Sequence, residues 1–408
     1  METIYASCAG LDIHKKTVEV TVRRMEQGRV RAETRQFGTM TRDLLALSDW
    51  LRSQQVTHVA MESTGVFWKP IYNILEGQFE VLLVNAQHVK QVPGRKTDVN
   101  DSQWLAQLLQ HGLLRGSFVP PRPLRELRDL TRQRAQLVAE QTRVTNRLHK
   151  TLEDANIKLG SVASDILGVS GRQMLKGLIA GEENPEKLAE MAKRRLRGKI
   201  PELRLALQGH VTDHHRFMLR LLYQHLEEVE ALVEELDQRI EAATHPFQEQ
   251  IARLDEIPGI DRRLAEVILA EIGPDMSVFP TAHHLASWAG MSPGNHQSAG
   301  KRKKGKTAPG SRWLRQGLSQ AAWAASHSKN SYLAAQFRRL APRRGKKRAV
   351  IAVGHSILVI VYHLLQEGGS YRDLGPDYFD RLAPQRLTRY LVRRLEKLGH
   401  RVVLEDAA

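Results

Sequence analysis

From Ile4 to about Gly112 the apolar positions switch repeatedly between a two-residue and a helical spacing. CAGLDIHKKTVEVTVRR predicts a strand, a turn at His14-Lys15-Lys16 and a second strand over Thr17–Val22, and RVRAETRQF alternates like a third. Thr41–Leu51 then predicts a helix with Thr41 as its cap. THVAMEST gives a short strand ending near Glu62, VFWKPIYNIL a helix, EVLLVN an apolar strand and DSQWLAQLLQHGLL another helix. Hairpin strands followed by crossover helices imply a mixed sheet with helices on its faces.

The pattern then becomes helical. Leu124, Leu127, Leu130, Leu137, Val144, Leu148 and Leu152 recur at three- and four-residue steps, and His214–Glu241 repeats the habit from Leu219 to Ile240. Such stripes predict an antiparallel coiled-coil arm, or packing against a second chain. Between them Asn184-Pro185-Glu186 is a helix start. From Ile251 the chain is helical and short-looped, with helices expected over His283–Ala289, Arg312–Ser326, Tyr332–Leu340 and Lys347–Leu365, and an irregular, peripheral tail after Gly368. The last apolar run, AVIAVGHSILVIVYHLL, contains His355 and His363 and fits a buried helix better than a membrane span.

Charge changes this picture most. The 408 residues carry 61 Lys+Arg against 45 Asp+Glu, a formal charge of +16, so the surface attracts polyanions, nucleic acid first. A single cysteine, Cys8, rules out a disulfide framework or a Cys-based zinc cluster within one chain and points to a reducing compartment. The beginning METIYASCAGLDIHKK does not read as a signal peptide.

Four acids fall at structural transitions. Asp12 ends the apolar stretch of the first strand and Glu62 leaves the fourth; Asp98 and Asp101, with Thr97 as a cap, stand three apart at a helix start, on one face. Clustered carboxylates repel unless a cation holds them. Their hard oxygens suit Mg2+ or Mn2+ and the phosphoryl-transfer chemistry a metal pair supports. Each acid also has an ordinary reading: a turn for Asp12, a pair with Lys69 for Glu62, the positive end of a helix for the other two.

GLDIHKKT, AMESTG and KTDVNDSQWLAQLL resemble the RuvC-like, DEDD-type transposases of the IS110/IS1111 (IS116/IS110/IS902) group of insertion sequences. The resemblance implies an α/β RNase-H-like (RuvC-like) domain binding divalent metal through Asp12, Glu62, Asp98 and Asp101. LASWAGMSPGNHQSAGKRKKGKTAPGSRWLRQGL resembles the same family's helical C-terminal domain, which implies Ser298 as the nucleophile. Gly294, Ala299 and Gly300 leave room for a phosphate, and Lys301, Arg302, Lys303, Lys304 and Lys306 can hold its charge. Alone, Ser-Ala-Gly reads as a solvent-facing turn and the cations as a solvated face. His296 is a weak candidate base.

Ile257-Pro258-Gly259-Ile260 resembles a helix-hairpin-helix turn, where Gly259 can offer backbone N–H to phosphate, or an ordinary helical hairpin. Trp288 and Trp313 fit core positions, with stacking on bases as the alternative, His355 fits a core position, and the cations of the first long helix either track a nucleic-acid backbone or support a coiled coil through ion pairs. The expected division is 1–120 for the acid-bearing domain, 121–245 for the arm with a small helical insert, 246–370 for the all-α domain with the serine, and 371–408 for the tail. The resemblance further implies donor and target DNA, a structured noncoding guide RNA and a homo-oligomer, dimer or tetramer, in the cytoplasm at the nucleoid, with no membrane. A hydrolytic RuvC-like endonuclease and a non-catalytic scaffold are the rival readings.

Overall fold

The computed structural model describes residues 3–63, 65–85, 89, 100–293, 297–298, 301–302, 307 and 310–405. The chain divides into two compact units, Met1–Val119 and Pro120–Ala408.

The first unit is built on β1 (Ser7–Ile13), β2 (Thr17–Glu26), β3 (Arg29–Gly38), β4 (His58–Glu62) and β5 (Glu80–Val84), in the order β3-β2-β1-β4-β5. β2 pairs antiparallel with both β1 and β3, whereas β4 pairs parallel with both β1 and β5. This is the mixed sheet of an RNase-H-like domain. Side chains alternate across it. Ala9, Leu11, Ile13, Val18, Val20, Val59 and Met61 pack on one face against Leu44, Leu47 and Leu51 of α1 (Thr41–Ser53) and Ile71 and Leu75 of α2 (Trp68–Leu75). Cys8, Ala60 and Val84 face the other way, onto Trp104, Leu105 and Leu108 of α3 (Asp101–Gln110). One helix start differs from expectation. Thr41 is the first helical residue of α1, so Met40 is the N-cap and no side chain caps it. α3 begins at Asp101 with Asn100 as N-cap; the Thr97 cap assignment lies outside the described residues.

The second unit is helical. α4 (Arg122–Asp154), α5 (Val169–Ile179), α6 (Pro185–Glu190), α7 (Ile200–Ala206) and α8 (Asp213–Thr244) form its first part. α4 and α8 run antiparallel: Arg134 meets Asp237, Glu140 meets His225 and Asp154 meets His215, so partner numbers fall as α4 advances. Val144, Leu148 and Leu152 share one core with Leu219, Leu222 and Leu226, closed by Met174 and Leu175 of α5. Asn184 caps α6 as its sequence implied, its side-chain oxygen accepting from Glu186 N–H at 2.9 Å, with Pro185 at the first turn.

α9 (Gln248–Asp255), α10 (Arg262–Ile272), α11 (Ala282–Trp288), α12 (Arg312–Ser326), α13 (Tyr332–Arg344), α14 (Lys346–Glu367) and α15 (Pro384–Lys397) follow. α14 is long and apolar enough to cross a membrane by composition, yet it packs against α11, α12 and α13 and buries Val353, Ile357, Leu358 and Val361. The region expected to be an irregular tail contains α15. Pro384 suits its first turn, and Leu387, Leu391 and Leu395 repeat at four residues, but none of its side chains is buried.

Candidate functional site

The acid-bearing edge follows from strand periodicity. Cys8, Gly10 and Asp12 of β1 project to the α3 side, and so do Ala60 and Glu62 of β4. Leu11 is in parallel register with Met61, so Asp12 and Glu62 leave neighbouring strands at the same end and on the same face. Across the hairpin Asp12 stands opposite Glu19.

The third acid arrives on a helix held unusually close. A methyl group at Gly10 would lie 2.3 Å from Ser102 O and 2.4 Å from Ala106 N, so only glycine lets α3 rest directly on β1. The Ser102 and Thr21 hydroxyls lie 2.9 Å apart, Ser102 Oγ donates to Glu19 Oε1 at 3.0 Å, and Asn100 Nδ2 donates to the same oxygen at 2.9 Å. These bonds tie the first turn of α3, and with it Asp101, to the β1–β2 hairpin.

Electrostatics records the crowding. The Asp12 carboxyl lies above its ordinary range, first through burial and then through the negative charges of Asp101 and Glu19, against a lowering by His14. His14 Nε2 lies 3.2 Å from Asp12 Oδ2. In the same layer burial pushes the Cys8 thiol up to about 12, which makes it a packing residue and not a nucleophile.

The structure therefore brings Asp12, Glu62 and Asp101 to one edge. Asp98 falls outside the described residues. Among the described residues no three His, Cys, Asp or Glu side chains close into a metal-holding group. Glu19 is the member that sequence reasoning missed. It stands on the polar positions of the alternating TVEVTV strand, and only the hairpin register puts it opposite Asp12.

In the helical unit Ser298 belongs to a short antiparallel pair, β6 (Gln297–Ser298) with β7 (Lys301–Arg302), in which Ser298 is in register with Lys301. Its backbone is therefore extended, and Pro293 and Thr307 bridge the same segment farther out. Lys303, Lys304, Lys306 and His296 lie outside the described residues. The Pro258-Gly259 turn joins α9 to α10, and Gly259, at φ +91°, packs against α12: a methyl there would lie 2.2 Å from Ala321 O. That packing is reason enough for a glycine. Trp288 is half-buried against Phe279, and Trp313 is half-buried beneath the Arg312 guanidinium, 4.5 Å from its ring centre.

The arm arginines are largely ion-paired. Arg132 makes two bonds to the buried Glu271 carboxylate at 2.8 and 2.9 Å, and Ser311 adds a third at 2.9 Å. Arg128 donates to the carbonyls of Ala270 and Glu271. Arg134 and Arg263 share Asp237, and Arg172 meets Glu230 at 2.6 Å. For Arg128, Arg132 and Arg134 of the first long helix, helix-to-helix pairing replaces the nucleic-acid reading.

Comparison with known proteins agrees with both halves. Residues 9–157 match a DEDD-type IS110 transposase model described as "Transposase", and residues 251–338 match one described as "Transposase IS116/IS110/IS902 family". The chain is 26% identical over 309 residues to the insertion element IS110 uncharacterized 43.6 kDa protein of Streptomyces coelicolor, covering 70% of this chain and 74% of that one. It is 25% identical over 297 residues to the transposase for insertion sequence element IS1111A of Coxiella burnetii, covering 71% and 72%. A putative transposase y4pF/y4sB of Sinorhizobium fredii is 26% identical over 174 residues, 41% of this chain and 44% of its own length. With a DEDD-type α/β domain followed by the helical transposase segment, the chain belongs to the IS110/IS1111 family of insertion-sequence transposases.

Proposed function

We propose that this transposase cuts and rejoins DNA through a serine-linked intermediate, with Ser298 as nucleophile and Asp12, Glu62, Asp98 and Asp101 as the acids that hold divalent metal. The observation that carries the acid half is the crowding of Asp12 by Asp101 and Glu19 on one sheet face. Carboxylates concentrated in this way fit a hard cation such as Mg2+ or Mn2+. Bound there, such an ion would stabilise negative charge growing on a phosphate oxygen.

The chain's own residues do the rest. Ser298 Oγ attacks phosphorus and loses its proton, the bond to the leaving DNA oxygen breaks, and that oxygen takes up a proton. Lys301, Arg302, Lys303, Lys304 and Lys306 hold the phosphate while its charge develops. A DNA alcohol then attacks the serine phosphodiester and regenerates the hydroxyl, so strands are exchanged without net hydrolysis. Family membership supports donor and target DNA as substrates, a structured noncoding RNA as guide and an oligomer in which acids and serine meet, while the leucine spacing and the antiparallel pairing of α4 and α8 support a coiled-coil geometry for them.

Denaturing gels with labelled DNA, its matching RNA and Mg2+ provide the test. Wild type should give a protein–DNA adduct that Ser298→Ala abolishes; Asp12→Ala should reduce it by at least about a hundredfold, the scale of losing one transition-state contact. Unchanged strand exchange by Ser298→Ala would refute the serine mechanism, and cleavage without adduct would assign the chemistry to water.

A further inference from the structure

The basic block PRRGKKR and the helix beyond Gly368 have no part in the chemistry above. Arg343 of that block, the α13 residues before it and the segment from Pro376 to Tyr390 enclose a cleft of about 560 Å³ between α13 and α15, remote in sequence from Ser298. Arg338, Arg339 and Arg343 line it from α13, and Arg386 and Tyr390 from α15. Phe379 closes its floor, with the Arg339 guanidinium 5.1 Å from the ring centre, and Asp380 is the one acid in the lining.

Charge is what distinguishes this cleft. Between Arg338 and Arg348 the chain carries seven cations and no acid. Among the described residues Arg338, Arg343 and Arg386 are exposed and have no carboxylate within ion-pair distance. Arg339 and Arg343 are four residues apart on α13, hence about 6 Å apart along one face. Cations held side by side without a counter-charge are unfavourable until a polyanion joins them. Tyr390 stands in the same cleft 56% exposed, its hydroxyl accepting from Arg394 Nη1 at 3.4 Å. An arginine-lined groove with an open aromatic ring combines phosphate contact with a stacking platform, the pairing used for single strands.

We infer that the α13–α15 cleft binds a single strand of nucleic acid, with Arg338, Arg343 and Arg386 on successive phosphates and Tyr390 stacked on a base. The inference deepens the transposase reading by giving it a second nucleic-acid site, but it does not depend on the serine chemistry. DNA and RNA share the phosphodiester backbone and the base faces, and either would satisfy the cleft.

The test uses the full-length protein and fluorescent oligonucleotides, single-stranded DNA and RNA of one sequence and the corresponding duplex, titrated across a salt series. At about 0.7 per phosphate, Arg338→Gln/Arg343→Gln/Arg386→Gln should lower the slope of log affinity against log salt by about 2 for the single strand. Tyr390→Ala should weaken that strand about tenfold and leave the slope unchanged. The titrations are run without Mg2+ and read binding alone, so a failed adduct assay and a failed cleft remain distinguishable. A triple variant with equal charge loss elsewhere, Arg194→Gln/Arg195→Gln/Arg197→Gln, should not change the slope. Equal loss in that control, a loss of duplex binding in the cleft variant as large as its loss of single-strand binding, or preference for vesicles of equimolar phosphatidylcholine and phosphatidylserine would overturn the inference. The DNA and RNA arms say which strand the cleft prefers.

Discussion

The arm and the α13–α15 cleft are both rich in arginine, and they use it in opposite ways. In the arm, guanidiniums lie against carboxylates of other helices: Arg132 on Glu271, Arg134 on Asp237, Arg172 on Glu230. In the cleft, Arg338, Arg343 and Arg386 have no such partner among the described residues. Composition is blind to the difference. A cation inside an ion pair fixes helix packing, while one left alone at the surface keeps its field for a ligand.

The sharpest way to break the comparison is to remove the most buried partner. Glu271 is 1% exposed and accepts from Arg132 and Ser311. Glu271→Ala should cost about 3 kcal/mol in urea unfolding, because two guanidiniums are left beside an empty acceptor position. A loss below about 1 kcal/mol would mean that the pair does not hold the helices. Arg134→Gln comes next. Asp237 keeps Arg263 at 3.1 Å, so the expected loss is about 1 kcal/mol, with no change in the salt slope of nucleic-acid binding.

His355 handles basicity in a third way. Burial, then the neighbouring His283, lowers its pKa from 6.5, and its ring stacks on His283 at 6.4 Å. The unfolded chain therefore binds the proton more readily than the fold does. Stability should be fully present above about pH 6.5 and fall as pH drops toward the folded-state pKa. Melting temperatures measured from pH 7.5 to 5 should show this decline, with a smaller slope in His355→Gln. The smallest effect is expected in the cleft. Arg338→Gln/Arg343→Gln/Arg386→Gln should leave unfolding within about 0.5 kcal/mol of wild type, whereas a large loss would show that those side chains serve the fold after all.

How much could be read beforehand depends on the range over which each feature is determined. The strands, the two long helices and the Asn184 cap rest on spacing within a few residues, and those features were legible. Glu19 was not, because its place beside Asp12 depends on hairpin register and on where Asn100 and Ser102 arrive from eighty residues away. The arm's arginines were undecidable from one strand of sequence, since their partners sit on helices that only tertiary packing brings opposite. α15 was missed for the reverse reason: a helix that buries nothing leaves its apolar stripe to be read as tail. The extended backbone at Ser298 spans two residues, too few for any periodicity.

The absence of a side chain at Gly10 has a consequence for timing. A strand and a helix touching main chain to main chain cannot slide apart a little; they stay together or the layer comes undone. Asp12 and Asp101 thus ride on what is mechanically one part. Anything that loosened that layer would move both acids at once instead of widening the gap between them.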